Sequence, residues 1–415
     1  MPTVAPRPPA DAQRVADDST IAVVDLFSGA GGFTAGLTMG YEPAGEGSSP
    51  FRSIAAVEWD AAAAATYEAN FGGHVANTDI TGWDATPHRG EADVIIGGPP
   101  CQGFSGLGKE DPDDPRNLLW KQYLRVVEEI RPKIFIIENV DRFLRSPQFR
   151  DLKAAVADKE RLGDYRIVDA ILNSADYGVP QARRRTIVIG THEDVIASHP
   201  TAAPLTHPAP THARGVPGQL TTDGTPAWVA VQDAVFSKTP EATGGTELPD
   251  IGSSGITTSA GVRVPGHYLT TQLHIGRTPR ELSLARYAAI PQGGNRKDLR
   301  GKTALIDGEE VPLSTPSWDR HDNGSGDVMG RLHSDRPSVT IRTEFYKPEK
   351  GRYLHPTAPR PITHYEAALI QGFPETFKWH GTKIQIARQI GNAVPVGLGA
   401  AIGRAVHEYL RQCRS

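Results

Sequence analysis

Four short apolar runs, each closing on a polar or reactive side chain, constrain this chain more than any other feature. Residues 21–27 (Ile-Ala-Val-Val-Asp-Leu-Phe) run into the glycine-rich Ser28-Gly29-Ala30-Gly31-Gly32-Phe33 and then a helix-like stretch, 34–39. Residues 53–57 close on Glu58-Trp59-Asp60, before the alanine-rich 61–70. Residues 93–97 lead into Gly98-Pro99-Pro100-Cys101. Residues 134–137 close on Glu138-Asn139-Val140 and follow an amphipathic stretch, 118–130. Residues 166–172 and 186–190 are further strand candidates. Strands alternating with helices predict an α/β chain whose parallel sheet is covered on both faces. Open sheets of this kind hold their ligands at the carboxyl ends of the strands. Asp25, Glu58, Cys101 and Glu138 are therefore expected on one rim.

The length of 415 residues leaves room for two or three domains. No apolar stretch reaches the 18 or so residues a membrane span needs. Residues 1–20 lack the apolar core of a signal peptide and read as a flexible arm. Cys101 and Cys413 are the only cysteines, which excludes a disulfide framework and a four-cysteine zinc site. No metal centre is expected, and the compartment reads as a reducing cytoplasm. A net charge of −4 does not advertise a polyanion partner. Residues 261–300 differ: Arg263, Arg277, Arg280, Arg286, Arg296, Lys297 and Arg300 face only Glu281 and Asp298. Such a stretch suits phosphates, or equally a solvated charged face. The Thr-, Pro- and Gly-rich texture from residue 200 to about 261 marks a boundary. Residues 363–371 read as a helix with Thr363 and Glu366 as a capping box, and 397–410 as the last helix. The expected division is an arm over 1–20, a main domain over 21–199, a smaller loop-rich domain over 200–375, and a segment over 376–415 that returns to the main domain.

Gly29, Gly31 and Gly32 allow close backbone approach to a ligand at a helix start. Their spacing departs from Gly-x-Gly-x-x-Gly, which weakens a nicotinamide reading. Glu58 stands where an acidic residue accepts from a ribose, and Trp59 offers a face for a purine. Cys101, taken alone, reads more readily as a small buried apolar residue than as a nucleophile. Its setting favours the nucleophile. Pro99-Pro100 make a stiff mount, Gly103 and Gly106 leave the following loop free to move, and Arg183 and Arg185 could stabilise a thiolate.

Taken in order, these segments resemble the bacterial DNA (cytosine-5)-methyltransferases. Asp25-Leu26-Phe27-Ser28-Gly29-Ala30-Gly31-Gly32 resembles the cofactor loop, Glu58-Trp59 the ribose and adenine contacts, and Thr78-Asp79-Ile80 the adenine-edge contact. Pro99-Pro100-Cys101-Gln102 resembles the catalytic signature and Glu138-Asn139-Val140 the glutamate signature. Gln181-x-Arg183-x-Arg185, residues 336–342 and residues 389–395 resemble the later motifs. The resemblance runs through residues 21–200 and 331–405. It implies a Rossmann-like, S-adenosyl-L-methionine-dependent sheet with a target recognition domain in 200–375.

It further implies Cys101, Glu138, Arg183 and Arg185 as catalytic. Phe27, Ser28, Gly29, Gly31, Gly32, Glu58, Trp59, Asp79, Ile80, Pro100, Leu119, Asn392 and Val394 are implied around the cofactor. Gln102, Ser105, Gln181, Arg277 and Arg296 are implied at the DNA. The expected partner is double-stranded DNA, with room for a cognate restriction endonuclease, and the expected enzyme is a cytoplasmic monomer. Two rivals use the same scaffold. A tRNA methyltransferase would carry Pro-Pro-Cys-Gln-Pro-Phe-Thr where this chain has Pro-Pro-Cys-Gln-Gly-Phe-Ser. A non-catalytic DNA-binding relative would have lost Cys101 or Glu138.

Overall fold

The computed structural model describes residues 20–40, 49–100, 115–320 and 327–413. The 1–19 part of the arm, Cys101, Gln102 and Ser105 lie outside them. The first half of the main sheet comprises β1 (Ile21–Leu26), α1 (Gly32–Thr38), β2 (Phe51–Glu58), α2 (Ala61–Phe71) and β3 (Val75–Asn77). The second half comprises β4 (Val94–Gly97), α3 (Pro115–Ile130), β5 (Ile134–Asn139), α4 (Pro147–Ala157), β6 (Tyr165–Asn173) and β7 (Arg184–His192). The seven strands lie in the order β3-β2-β1-β4-β5-β7-β6. The order reverses beside β1, at β1–β4, so the loops after these two strands open into one crevice.

The sheet is not wholly parallel, as the strand–helix alternation predicts. β7 runs antiparallel to both β5 and β6. Only residues 174–183 join β6 to β7, with a single 3₁₀ turn between them. That is too short for the crossover a parallel pair requires. β1 and β5 are buried along their whole length, whereas the edge strand β6 alternates. One face buries Val24, Ile95, Phe135 and Ile137 with Tyr123 and Val127 of α3 and Leu152 of α4. The other buries Val23, Ile96 and Ile136 with Phe33 of α1.

After α5 (Glu193–Ser198) come β8 (Gly255–Thr257), β9 (Arg263–Leu269), α6 (Glu281–Ala289), β10 (Thr303–Ile306), β11 (Glu309–Pro312) and α7 (Pro316–Arg320). Then follow β12 (Gly330–Arg331), β13 (Arg352–Leu354), α8 (His364–Ile370), β14 (Lys378–His380), α9 (Lys383–Asn392) and α10 (Val396–Cys413). The capping box forms: Thr363 Oγ1 accepts from the Glu366 amide at 3.2 Å, and Glu366 Oε2 from the Thr363 amide at 2.8 Å. α10 does return to the sheet, where Leu398, Ile402 and Val406 join the core beside Phe33 and Leu37.

Composition shifts at residue 200, but packing does not. Leu205 is buried in the core of the main sheet. Tyr177 donates to the Pro208 carbonyl at 2.9 Å, Tyr409 to Ala203 at 2.6 Å, and Trp228 Nε1 to Asp176 Oδ1 at 2.8 Å. The stretch from 200 to 228 therefore wraps the main sheet. Beyond it, β8, β9 and β14 form a three-stranded sheet against α2. A small separate core gathers Tyr287, Ile290, Leu299, Leu313 and Met329.

Candidate active site

The loop after β1 has an unusual backbone. Phe27, Gly29 and Gly31 all have positive φ, at 56°, 54° and 82°. Gly31 could be no other residue without strain: a Cβ there would lie 2.3 Å from the Phe71 ring. Gly32 carries the second close approach, since a Cβ would meet the Val394 carbonyl at 2.6 Å. The late motif thus presses directly on the loop. Glu58 holds the loop from the next strand, accepting from the Gly29 amide through Oε2 and from the Asp60 amide through Oε1, both at 2.7 Å. Burial pushes the Glu58 carboxyl up, against those two bonds. Burial also pushes Asp25 up to about 7, although Thr34 donates to it at 2.7 Å. Ser28 Oγ is buried with no hydrogen-bond partner among the described residues.

Trp59 is 73 % exposed, a large indole left facing solvent at the strand end. Asp79 Oδ1 accepts from the Thr81 amide at 2.9 Å, and Ile80 is buried beside it. Arg125 of α3 holds this turn by donating to the Ile80 carbonyl at 2.8 Å. Leu119 and Pro100 are half-buried, Val394 is buried, and Asn392 is exposed at the end of α9.

Glu138 ends the run of β5 on the same rim. Its Oε2 lies 3.3 Å from where a Cβ on Gly98 would stand, so the carboxylate abuts the root of the Pro99-Pro100 mount. Asn139 fixes that root, donating from Nδ2 to the Pro99 carbonyl at 3.0 Å. Arg185 Nε stands 2.9 Å from Glu138 Oε1, and both side chains are largely withdrawn from solvent. The carboxylate is thus oriented by a cation and set beside the segment that leads to Cys101.

Arg183 does not share that role. It is buried, with Nη1 donating to the Ile341 carbonyl at 3.1 Å and the Gly391 carbonyl at 3.0 Å. Burial, then the neighbouring Arg185, lowers its guanidinium to about 9. It ties β7 to the two late segments and reaches no open surface. Gln181 is likewise corrected from the expected DNA contact. It is fully buried, accepting from the Ile341 amide at 2.8 Å and donating to Gln371 Oε1 at 2.7 Å. Arg296 is also corrected: it is buried and donates to the Trp318 carbonyl. Arg277 stays exposed, with Nη1 on the Tyr346 carbonyl at 2.9 Å. Two of the seven basic residues are thus drawn into the fold, whereas Arg263, Arg277, Arg280, Lys297 and Arg300 are exposed. Arg286, the second of the two, donates to Leu313 and covers the Trp318 ring.

Two contributors escape the sequence reading. Gln371, which caps α8, donates to the Ile390 carbonyl at 2.5 Å and receives Gln181, joining the end of α8 to α9 and to the β6–β7 connection. Asn77 stands behind Glu58 and Trp59; its place just before Thr78-Asp79-Ile80 was the available signal.

The sequence model of the C-5 cytosine-specific DNA methylases matches residues 21–408. The chain belongs to this family. It is a DNA (cytosine-5)-methyltransferase. It is 32% identical to the type II methyltransferase M1.HphI of Haemophilus parahaemolyticus, over 93% of this chain and 87% of that one. It is 33% identical to the type II methyltransferase M.XorII of Xanthomonas oryzae pv. oryzae, over 94% and 85%. Among solved structures, a prophage-encoded DNA modification methyltransferase from E. coli superposes with a TM-score of 0.61 at 24% identity, covering 94% of this chain and all of that one. S. pombe Dnmt2 methyltransferase superposes at 0.53 and 15% identity, covering 94% and 98%. At those identities the superpositions speak to the shared fold. Among the described residues, no helix is long and apolar enough to cross a membrane.

Proposed function

We propose that this methyltransferase takes its methyl group from S-adenosyl-L-methionine and places it on a cytosine turned out of duplex DNA, with Cys101 as nucleophile and Glu138 as acid. The observation that carries the reading is the placing of Glu138, paired with Arg185 and abutting Gly98, against the mount whose next residue is Cys101.

The residues after β1 and β2 suit the methyl donor. Ser28 Oγ is buried and unpartnered among the described residues, Glu58 keeps lone pairs beyond its two amide bonds, and Trp59 offers an open aromatic face. Those groups match hydroxyls and a purine. Bound there, S-adenosyl-L-methionine supplies an electrophilic methyl group. The chain supplies the rest. An ordinary thiol, with pKa about 8.5, is only a few per cent thiolate at neutral pH. The Cys101 thiolate adds its electron pair to cytosine C6, and Glu138 delivers a proton at N3 and accepts from the N4 amine. The electron pair gained by the ring makes C5 nucleophilic; C5 would take the methyl carbon while the sulfonium sulfur keeps the bonding pair and leaves as a neutral thioether. Loss of the C5 proton to a base then expels the Cys101 thiolate, and return of the N3 proton to Glu138 restores the neutral aromatic base. The target base must leave the stack for the thiolate to reach it.

We assign target reading to the region after the main sheet, expected over 200–375, with its recognition surface beyond residue 228. The type II names of the relatives support a matching restriction endonuclease as partner. Oligonucleotide duplexes carrying 5-fluorocytosine test the mechanism, because fluorine at C5 blocks the elimination. The wild type should form an adduct that survives denaturing electrophoresis, and Cys101→Ala should form none while keeping its DNA affinity. An adduct with Cys101→Ala would refute the assignment. Methyl transfer to tRNA and not to DNA would refute the substrate.

A further inference from the structure

The second region reaches across to the cofactor rim through one turn. β8 and β9 form a hairpin closed by Thr258, whose amide donates to the Val262 carbonyl at 3.0 Å and whose carbonyl accepts from the Gly261 amide at 2.8 Å. The hairpin rests on the start of α2, with buried Val264 against Ala62 and Ala65. At its tip, Thr258 Oγ1 donates to Asn77 Oδ1 at 2.8 Å, and Ser259 Oγ accepts from the Asn77 amide at 2.7 Å.

Asn77 passes this hold onward. It pairs with Glu58 in the β2–β3 register. Its Nδ2 donates to the Glu58 carbonyl at 3.0 Å and to the Trp59 carbonyl at 2.9 Å. The side chain is buried, and both of its amide protons are engaged on those two carbonyls. An asparagine amide can turn over, exchanging its oxygen and nitrogen. Here the Thr258 hydroxyl, as donor, selects the orientation that aims NH₂ at the two carbonyls. Turned over, Asn77 would aim its oxygen at two other oxygens. Thr258 is 4 % exposed, so water is poorly placed to replace it.

We infer that Thr258 is a positioning residue for the methyl donor: a turn of the inserted region locks Asn77, and Asn77 fixes the backbone that presents Glu58 and Trp59. The inference rests on the reading of Glu58 and Trp59 as donor contacts.

The test is S-adenosyl-L-methionine binding by calorimetry without DNA, with steady-state kinetics alongside. Thr258→Val keeps the shape and removes the donor. One net hydrogen bond in a buried site corresponds to roughly a 3- to 10-fold change in an equilibrium. Thr258→Val should therefore raise Kd and KM for S-adenosyl-L-methionine about that much, with kcat at saturation and DNA affinity unchanged. Thr258→Ser, which retains the donor, should restore wild-type values, an outcome that loss of mere packing would not give. Ser259→Ala offers the same readout should Thr258→Val fail to fold. Wild-type donor affinity in Thr258→Val, or Thr258→Ser as weak as Thr258→Val, would overturn the inference. Glu58→Ala separates the two levels. If it weakens donor binding and Thr258→Val does not, the brace is wrong. If neither does, the donor site is wrong.

Discussion

Arg183, the last residue before β7, and Arg185, within it, resemble one motif, yet their surroundings predict different phenotypes. Arg183→Met removes two hydrogen bonds from a charged donor, to Ile341 at 3.1 Å and Gly391 at 3.0 Å. Bonds of that kind contribute about 1.5–3 kcal/mol each. Part of the loss is offset, because methionine needs no solvation, whereas burial holds the Arg183 cation under enough stress to lower it to about 9. The net loss should be about 2–4 kcal/mol. Arg185→Met breaks the 2.9 Å pair with Glu138 at the rim, where both side chains are largely withdrawn from solvent, and leaves the carboxylate without its cation. It should cost about 1–2 kcal/mol of stability, between the surface-pair and buried-pair ranges. It should instead lower kcat by about 10-fold or more, since the acid loses the cation that orients it. Guanidinium-chloride unfolding and single-turnover methyl transfer, measured on both variants, decide the matter. Equal stability losses, or an Arg183→Met enzyme as stable as wild type but slow, would refute this division of labour.

Further outcomes follow from the same geometry. Gly31→Ala places a methyl 2.3 Å from Phe71 at a φ of 82° and should cost about 2 kcal/mol or more, read as a fall in Tm. Glu138→Gln should lower kcat by about 10²- to 10⁴-fold and change DNA affinity little, measured by single turnover and fluorescence anisotropy. Asp25 is raised to about 7 in the folded chain, so the folded state holds a proton that the unfolded state releases near pH 4. Its contribution is fully present below pH 4 and fades as pH rises towards 7. Asp25→Asn, which can still accept from Thr34, should therefore gain stability over wild type as pH rises from 5 to 8; a Tm difference flat across that range would contradict it. Arg277→Ala should weaken DNA binding and reduce the salt slope by about one if it meets phosphate, checked by titration at several salt concentrations.

The main sheet was legible because its strands are buried on both faces and so read as unbroken apolar runs. β1 and β5 show this directly. The antiparallel β7 was not, since direction leaves no mark on a run such as Ile187-Val188-Ile189. Only the length of the β6–β7 connection betrays it. The change of texture at residue 200 does not coincide with a change of packing, for a related reason. Proline and glycine report the lack of regular structure, but Leu205, Tyr177 and Trp228 decide which core a loop covers.

The site divides along the same line. Residues whose function needs a special backbone or a strand end, such as Gly31 and Glu58, are visible in sequence, because local chemistry dictates both. Charge is a poorer guide. A guanidinium carries up to five donors, so it serves a phosphate and a cluster of buried carbonyls equally well. Arg183, Arg286 and Arg296 all serve carbonyls. Within residues 261–300 this withdraws Arg286 and Arg296 and leaves five of the seven basic side chains exposed, so the seven-to-two excess overstates by two what that stretch can offer DNA. The recognition surface must be sought among the side chains that remain outside, Arg277 first among them. It also need not be basic throughout, since base edges are read by hydrogen bonds and methyl contacts as well as by charge.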